Sequence, residues 1–357
     1  MPKPTLSIIV PVLNEAANLA VFLKGLALQE LVTFEVVLCD GGSTDPSCEV
    51  VSRFNKQSPF SVRMESSPFG RARQMNYGAH RAEGDWLLFL HVDSCFETPR
   101  SLMLALAAIQ REYELNDLPP CAGHFELRFE RSDGRYPFAY MFYEAKTRLD
   151  FPDCIHGDQG FLMHRDVFER TGGFDESLTL LEDSDMADTI SGFGRWILLP
   201  GRLVTSARRF ESEGMLQRQI LNALILNARQ IGWTDFFNTV PHLYRSQDNA
   251  GKLDLLPVWV TVRDLFSRLT LFDRLHIWYA TGRYVCVQAW QVLFAWHCYR
   301  QFRRGQVATM GRQEIQESMR GFERILGNPL GYIVTAVLVW FWFHLYYVQL
   351  IYRRRKL

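Results

Sequence analysis

The sequence has no net charge and no paired-cysteine motif. Lys and Arg number 39, as do Asp and Glu, which excludes a nucleic-acid partner held by bulk positive charge. The seven cysteines show no CxxC pair or other metal-binding spacing, so we expect free thiols in a reducing compartment. The apolar stretch near the N-terminus is too short for a signal peptide and is soon followed by an acidic residue, which predicts a cytosolic start of the chain.

The zero net charge conceals two regions of opposite sign. Residues 251–357 contain 15 Lys and Arg against 6 Asp and Glu, and residues 1–250 therefore contain 24 against 33. An acidic part joined to a basic, aromatic-rich part indicates two regions with different surroundings. We therefore predict one domain over residues 1–250 and a helical, membrane-associated region over residues 251–357.

Strand and helix patterns alternate over the first part of the chain. Residues 6–11, 34–39 and 86–90 are short apolar runs typical of buried parallel strands, and helix-type spacing of apolar residues separates them. This alternation predicts an α/β domain, in which ligands bind at the carboxyl ends of the strands. Polar residues stand at those ends: Pro11 to Glu15, Asp40 to Asp45, and His91 to Ser94.

Two of these groups suit a nucleotide, and both have a plainer alternative. Asp40 can accept hydrogen bonds from a base N–H or a ribose hydroxyl, or it can cap the following turn. Asn14 and Glu15 can meet a nucleotide, or they can cap the helix that follows.

The C-terminal segment is apolar and free of formal charge between Arg324 and Arg353. Residues 331–352 are long enough to cross about 30 Å of hydrocarbon as a helix. A basic flank follows at 353–356 and favours the cytoplasmic side. We expect a membrane-associated protein whose catalytic domain faces the cytoplasm; a buried core helix is the alternative. The arginines near residue 300 conflict with a simple hairpin, and a helix that dips in without crossing removes that conflict.

The motifs together resemble the family 2 glycosyltransferases of the GT-A fold. The resemblance covers residues 5–245 and rests on the segments 8–15 (IIVPVLNE), 40–45 (DGGSTD) and 91–94 (HVDS). Segments 70–79, 156–159, 172–176 and 205–209 are similar to the radical-SAM and selenodomain-associated subgroup, of the arsenosugar-biosynthesis type. The resemblance implies a Rossmann-like nucleotide-diphospho-sugar transferase domain.

The family implies a binding site for a nucleotide-diphospho-sugar donor. Family members use the aspartate that matches Asp40 for the nucleotide. Arginines in a Gly-led segment can pair with phosphate, although a solvated helix face is the alternative. The residues expected at the donor or sugar are Pro11, Asn14, Glu15, Asp40, Gly41, Ser43, Arg71, Arg73, Asp158, Gln159 and Arg208.

A divalent cation is expected to neutralise the departing diphosphate. Family members carry Asp-x-Asp where this chain has His91-Val92-Asp93, so the first carboxylate is absent. Asp93 can still bind Mg²⁺ or Mn²⁺. His91 is either a nitrogen ligand, a neighbouring donor or a core histidine.

Inverting transfer needs a general base beside the acceptor hydroxyl. Glu182-Asp183 resembles the Glu-Asp pair of the family, in which the aspartate is that base, and Glu182 is expected to shape the acceptor site. The alternative is an acidic helix N-terminus. The chain lacks the Gln-x-x-Arg-Trp motif of the processive members.

The sequence thus predicts an inverting glycosyltransferase that transfers a sugar to a hydroxyl acceptor, with a lipid-linked or membrane-associated acceptor favoured. A small soluble metabolite as the acceptor, as in arsenosugar formation, is one alternative. A non-catalytic membrane protein that binds a sugar nucleotide is another.

Overall fold

One mixed sheet organises the N-terminal part of the chain. The computed structural model describes residues 3–115, 120–135, 137–149, 151–245, 251–306 and 312–355. In these residues the sheet has eight strands: β1 (Leu6–Val12), β2 (Phe34–Asp40), β3 (Ser61–Ser66), β4 (Trp86–Phe89), β5 (Ser94–Phe96), β6 (Cys121–Glu130), β7 (Phe161–His164) and β8 (Arg195–Ser206). The strand order is β3-β2-β1-β4-β7-β6-β8-β5. β1 to β4 run parallel, and β7 is antiparallel to both of its neighbours.

The parallel half of the sheet is buried on both faces. β1, β2 and β4 are almost continuously buried, which explains why their sequences are apolar runs rather than alternating ones. Helices connect and cover the strands: α1 (Ala16–Ala27), α2 (Ser47–Asn55), α3 (Arg71–Arg81), α4 (Ser101–Tyr113), α5 (Phe138–Lys146), α6 (Arg165–Thr171) and α7 (Glu182–Phe193).

A glycine lets α3 approach the sheet closely. A Cβ added to Gly78 would lie 2.5 Å from the Ile9 side chain and 2.6 Å from the Cys39 Sγ. No larger residue fits there without displacing β1 or β2. The close approach holds α3 against β1 and β2.

The strand register places three loops at one edge of the sheet. Val12 pairs with Asp40 at the ends of β1 and β2, and Ile9 pairs with Phe89 at the end of β4. The residues after β4, including His91 and Asp93, therefore continue past the same edge as the loops after β1 and β2.

The residues after β8 are helical. The chain divides into two compact units, Met1–Ser206 and Ala207–Leu357. The predicted domain boundary at residue 250 lies in 246–250, outside the described residues, and it stays a prediction. The helices of the second unit are α8 (Arg208–Glu213), α9 (Met215–Gln230), α10 (Thr234–Arg245), α11 (Leu256–Arg268), α12 (Leu271–Val287), α13 (Trp290–Arg303), α14 (Arg312–Leu326) and α15 (Pro329–Arg354).

One helix in the described part of the chain, α15, is long and apolar enough to cross a membrane. Only 11% of its most apolar stretch is buried. A buried core helix, the alternative considered from the sequence, does not match this exposure within the second unit. The predicted fold class, an α/β domain followed by a mainly helical region, is confirmed.

Candidate active site

The loops after β1 and β2 are tied to each other by side-chain hydrogen bonds. Asn14 adopts the left-handed conformation with φ 55°, and its Oδ1 accepts the Thr44 N–H at 2.8 Å. The Asn14 N–H in turn donates to the Ser43 hydroxyl at 2.8 Å. The Asp40 carboxylate accepts the Ser43 N–H at 3.0 Å and the Ser43 hydroxyl at 2.5 Å. Asp40 therefore caps its own turn, which was the plainer of the two interpretations considered from the sequence.

The neighbouring residues of these loops are also held internally. The Gly41 N–H donates to the Val12 carbonyl at 2.9 Å. The Glu15 N–H donates to the Ser47 hydroxyl at 3.1 Å, and its carboxylate accepts from the Asn18 amide. Pro11 lies inside β1, opposite Cys39. The expected nucleotide residues thus form one hydrogen-bonded edge of the sheet, and their binding role stays a prediction.

Sequence reasoning missed Gln74, which joins the two strand ends. Its buried amide donates to the Val12 carbonyl at 2.9 Å and to the Cys39 carbonyl at 2.7 Å. Both carbonyls lie near the ends of neighbouring parallel strands, and the Val12 carbonyl also accepts the Gly41 N–H. The only signal in the sequence was a polar residue on the apolar face of α3.

A second group of polar residues surrounds the start of α7. Leu181 adopts a left-handed conformation with φ 66° immediately before Glu182. The Asp183 carboxylate accepts the Gly157 N–H at 2.7 Å and the Ser184 N–H at 2.8 Å. These bonds tie the 157–159 turn to α7, so Asp158 and Asp183 are brought together from distant parts of the sequence.

The carboxylates of this group have opposite pKa shifts. Burial raises the pKa of Asp158 to about 6, and the nearby Asp183 and Asp93 carboxylates add to the rise, against His156 and Arg71. Burial would also raise the pKa of Asp183, but the charge of His156, the Gly157 N–H and the Arg71 charge lower it below its usual value. Asp183 is therefore the group of this pair that holds its negative charge most readily.

Burial raises the pKa of Glu182, and the Arg71 cation opposes the rise. The Arg71 guanidinium lies 3.6 Å from the Glu182 carboxylate. Arg73, two residues further along α3, lies 3.8 Å from Glu176. The structure thus places Arg71 beside Glu182, the residue that precedes the candidate base, and the predicted phosphate contact of both arginines stays a prediction.

A small cavity lies between these groups. It has a volume of about 10 Å³, room for roughly one water molecule. Its polar lining is Arg71, His91, Gly157 and Asp183, and its apolar wall is Met75, Phe89, Phe161 and Phe174. The predicted base and the histidine of the 91–94 segment therefore share one cavity.

A divalent cation fits the chemistry of this site, although the described residues contain no group of three or more metal-type side chains. The Oδ1 atom of Asp158 is buried and has no hydrogen-bond partner. The electrostatic influence of Asp93 on Asp158 shows that the two carboxylates lie near each other. A cation would satisfy the unpartnered oxygen and relieve the repulsion between these carboxylates.

Gln159 and Arg208 are also predicted to lie at the donor or sugar. Gln159 is fully buried; its amide donates to the Cys154 carbonyl at 2.6 Å and contacts the His124 ring at 2.8 Å. This residue supports the turn that carries Asp158. Arg208 is the first residue of α8, in the second unit. Their roles in binding stay predictions.

The chain is similar in sequence to known glycosyltransferases. Residues 7–172 match the family model described as "Glycosyl transferase family 2". The chain is 28% identical to an uncharacterized glycosyltransferase of Haemophilus influenzae, over 50% of this chain and 60% of the relative. It is 38% identical to a PGL/p-HBAD biosynthesis glycosyltransferase of Mycobacterium bovis, over 33% and 46%. The chain thus spans about half the length of these curated relatives.

A solved structure that resembles this chain is a mannosyltransferase from Pyrobaculum calidifontis in complex with GDP-Man and Mn²⁺. The TM-score is 0.47 and the sequence identity is 16%, over 94% of this chain and 86% of that chain.

Proposed function

We propose that the protein is an inverting glycosyltransferase, because residues 7–172 match the model described as "Glycosyl transferase family 2". It transfers a sugar from a nucleotide-diphospho-sugar donor to the hydroxyl group of an acceptor. The single observation that carries the proposal is the Asp183 carboxylate, which is held by two backbone N–H groups and faces a cavity shared with Arg71 and His91.

Asp183 is suited to be the general base. It is ionised at neutral pH, and its position at the cavity allows it to accept the proton of an acceptor hydroxyl bound there. The acceptor oxygen then forms a bond to the anomeric carbon while the bond between that carbon and the diphosphate oxygen breaks. The diphosphate leaves with the electron pair, and the configuration at the anomeric carbon inverts.

The other polar residues hold the reactants. The loops with Asn14 and Asp40 form the hydrogen-bonded edge on which the nucleotide binds. Arg71 keeps Glu182 and Asp183 in place through its charge. A Mg²⁺ or Mn²⁺ ion, when bound, neutralises the diphosphate charge. Asp93 would hold this ion, with His91 and Asp158 beside it.

Membrane association belongs to the same proposal. α15 exposes most of its apolar surface, and Arg353 to Arg355 follow it. Basic residues at this place favour the cytoplasmic leaflet. We therefore favour a cytoplasmic catalytic domain and a lipid-linked or membrane-associated acceptor.

The test is transfer of radiolabelled sugar from UDP-, GDP- and dTDP-sugars, each with Mg²⁺ or Mn²⁺. We expect label in the organic phase of a membrane extract and none with the Asp183→Asn variant. Label that stays in the aqueous phase supports a small soluble acceptor of the arsenosugar type. Donor binding that raises the melting temperature without any transfer supports a non-catalytic sugar-nucleotide-binding protein.

A further inference from the structure

Six side chains of α15 form an apolar stripe on one face of the helix. They follow one another at intervals of four and three residues, and each is between 49% and 68% exposed. At about 1.5 Å per residue the stripe is roughly 27 Å long. We call it the outer stripe, and its members are Val334, Leu338, Phe341, Leu345, Val348 and Tyr352.

α12 packs against the opposite face of α15. A Cβ on Gly282 would lie 2.8 Å from the Ala336 Cβ. The Cys286 Sγ lies 3.1 Å from the Thr335 hydroxyl, and the Trp278 ring lies 5.9 Å from the Phe343 ring. Since contacts run from residue 343 to residue 335 as α12 proceeds from 278 to 286, the two helices are antiparallel and close along their length.

Arginines on α11 and α12 lie beside α15 at two different heights along its axis. Arg283 is exposed and follows Gly282, so it lies near the level of Ala336. The Arg263 guanidinium of α11 lies 4.0 Å from the centre of the Tyr347 ring. Ala336 and Tyr347 are about 17 Å apart along the helix axis. A pair of helices that crosses a membrane needs roughly 30 Å without exposed charge.

A crossing orientation would thus bring both arginine levels into the hydrocarbon. Each arginine would then have to leave water or extend its side chain back to the headgroups, which is unfavourable for a charged group. An orientation in the membrane plane carries no such cost, because the arginines stay at the level of the lipid headgroups while the outer stripe faces the acyl chains.

We propose that α15 lies in the plane of the membrane and buries the outer stripe in one leaflet without crossing it. The inference rests on the membrane association proposed above. The occupant of the surface is a bilayer with anionic headgroups, since Arg353, Arg354 and Arg355 follow the stripe directly. Ile333 and Val337 are exposed apolar side chains beside the stripe and widen the apolar surface.

Thiol labelling of the full chain tests the orientation. Cys48 is the exposed native cysteine among the described residues and reports the side of the catalytic domain. Arg355→Cys adds a thiol after the last turn of α15. The protein is synthesised in cells, and spheroplasts and inside-out membrane vesicles are then treated with a membrane-impermeant maleimide. We expect both thiols to react in the inside-out vesicles and neither to react in spheroplasts.

Reaction of the thiol at position 355 in spheroplasts, with Cys48 protected, would show that α15 crosses and would overturn this inference alone. Absence of the full chain from the membrane fraction would overturn membrane association as well, while leaving transferase activity to its own test.

Charge substitutions test the surface itself. Leu338→Glu and Leu345→Glu should each lower the membrane-bound fraction by about tenfold, because each replaces an exposed leucine that would contact lipid with a charged side chain. Val21→Glu is the matched control, since Val21 is 67% exposed on α1 of the first unit. If the stripe variants instead convert a dimer to a monomer and leave membrane binding unchanged, the surface binds a second copy and the proposal is wrong.

Discussion

The loops after β1 and β2 and the start of α7 both collect carboxylates, but the two regions satisfy them in opposite ways. In the loops, Asp40 and Asp45 accept hydrogen bonds from backbone and hydroxyl groups of the same two loops. At α7, Asp158 keeps a buried oxygen without a partner, close to Asp183. The first region is a hydrogen-bonded scaffold, whereas the second keeps an unpartnered carboxylate oxygen near another carboxylate, which makes it the candidate site.

The largest effect on turnover is expected from a substitution of Asp183. Asp183→Asn keeps the size of the side chain but removes the base, so turnover should fall by about 10²–10⁴-fold. Steady-state transfer kinetics measure the loss, and the melting temperature shows whether the variant is folded. Asp188→Asn, an exposed position on the same helix, is the matched control and should keep its turnover. Full activity of Asp183→Asn would remove Asp183 from the site.

A smaller effect is expected for metal binding at Asp93. Asp93→Ala should weaken Mn²⁺ binding by about tenfold to a hundredfold or more, because a carboxylate near Asp158 is lost. Electron paramagnetic resonance of free Mn²⁺, titrated with protein and nucleoside diphosphate, measures the affinity. Asp85→Ala is the control, since Asp85 precedes β4 and pairs with Lys3 at 2.8 Å. Unchanged Mn²⁺ affinity in Asp93→Ala would contradict the proposed ligand.

The position of the loops that follow the parallel strands was largely predictable from sequence. The arrangement of carboxylates around the start of α7 was less predictable. Asp40 and His91 follow apolar runs, so their place at the carboxyl edge follows from the strand pattern alone. The meeting of Asp158 with Asp183 depends on a hydrogen bond from Gly157, 26 residues away from Asp183 in sequence. No local pattern encodes such a contact.

The short strands of the sheet are also difficult to predict from local sequence. β7 has only four residues, Phe161–His164, and an apolar run of this length does not distinguish a strand from a helix. Its antiparallel pairing with β4 is also a long-range property. The role of Gln74 is not visible in the sequence, because its amide reaches carbonyls on two different strands.

Gln74 offers a test of the scaffold at the level of stability. Gln74→Ala leaves the buried Val12 and Cys39 carbonyls without its amide, and the free energy of unfolding should fall by about 2 kcal/mol. Urea unfolding measures this loss. Gln57→Ala, at an exposed position after α2, should change it little. Equal stability of the two variants would mean that the strand ends do not depend on this bridge.

The smallest expected effect concerns the acid sensitivity of the scaffold. Hydrogen bonds from Ser47 and the backbone N–H groups of Ala16 and Ser47 lower the pKa of Asp45 in the folded protein. Its contribution to stability is therefore complete above the pKa of the unfolded chain and is lost as the pH falls through the lower pKa of the folded state. Asp45→Ala should lower the melting temperature at neutral pH, and the difference from the native protein should shrink in acid. Glu169→Ala, an exposed carboxylate of α6, should show no such trend. A difference that stayed constant with pH would show that Asp45 acts through packing alone. The contrast between the hydrogen-bonded carboxylates of the loops and the unpartnered carboxylate near α7 would then have no electrostatic basis.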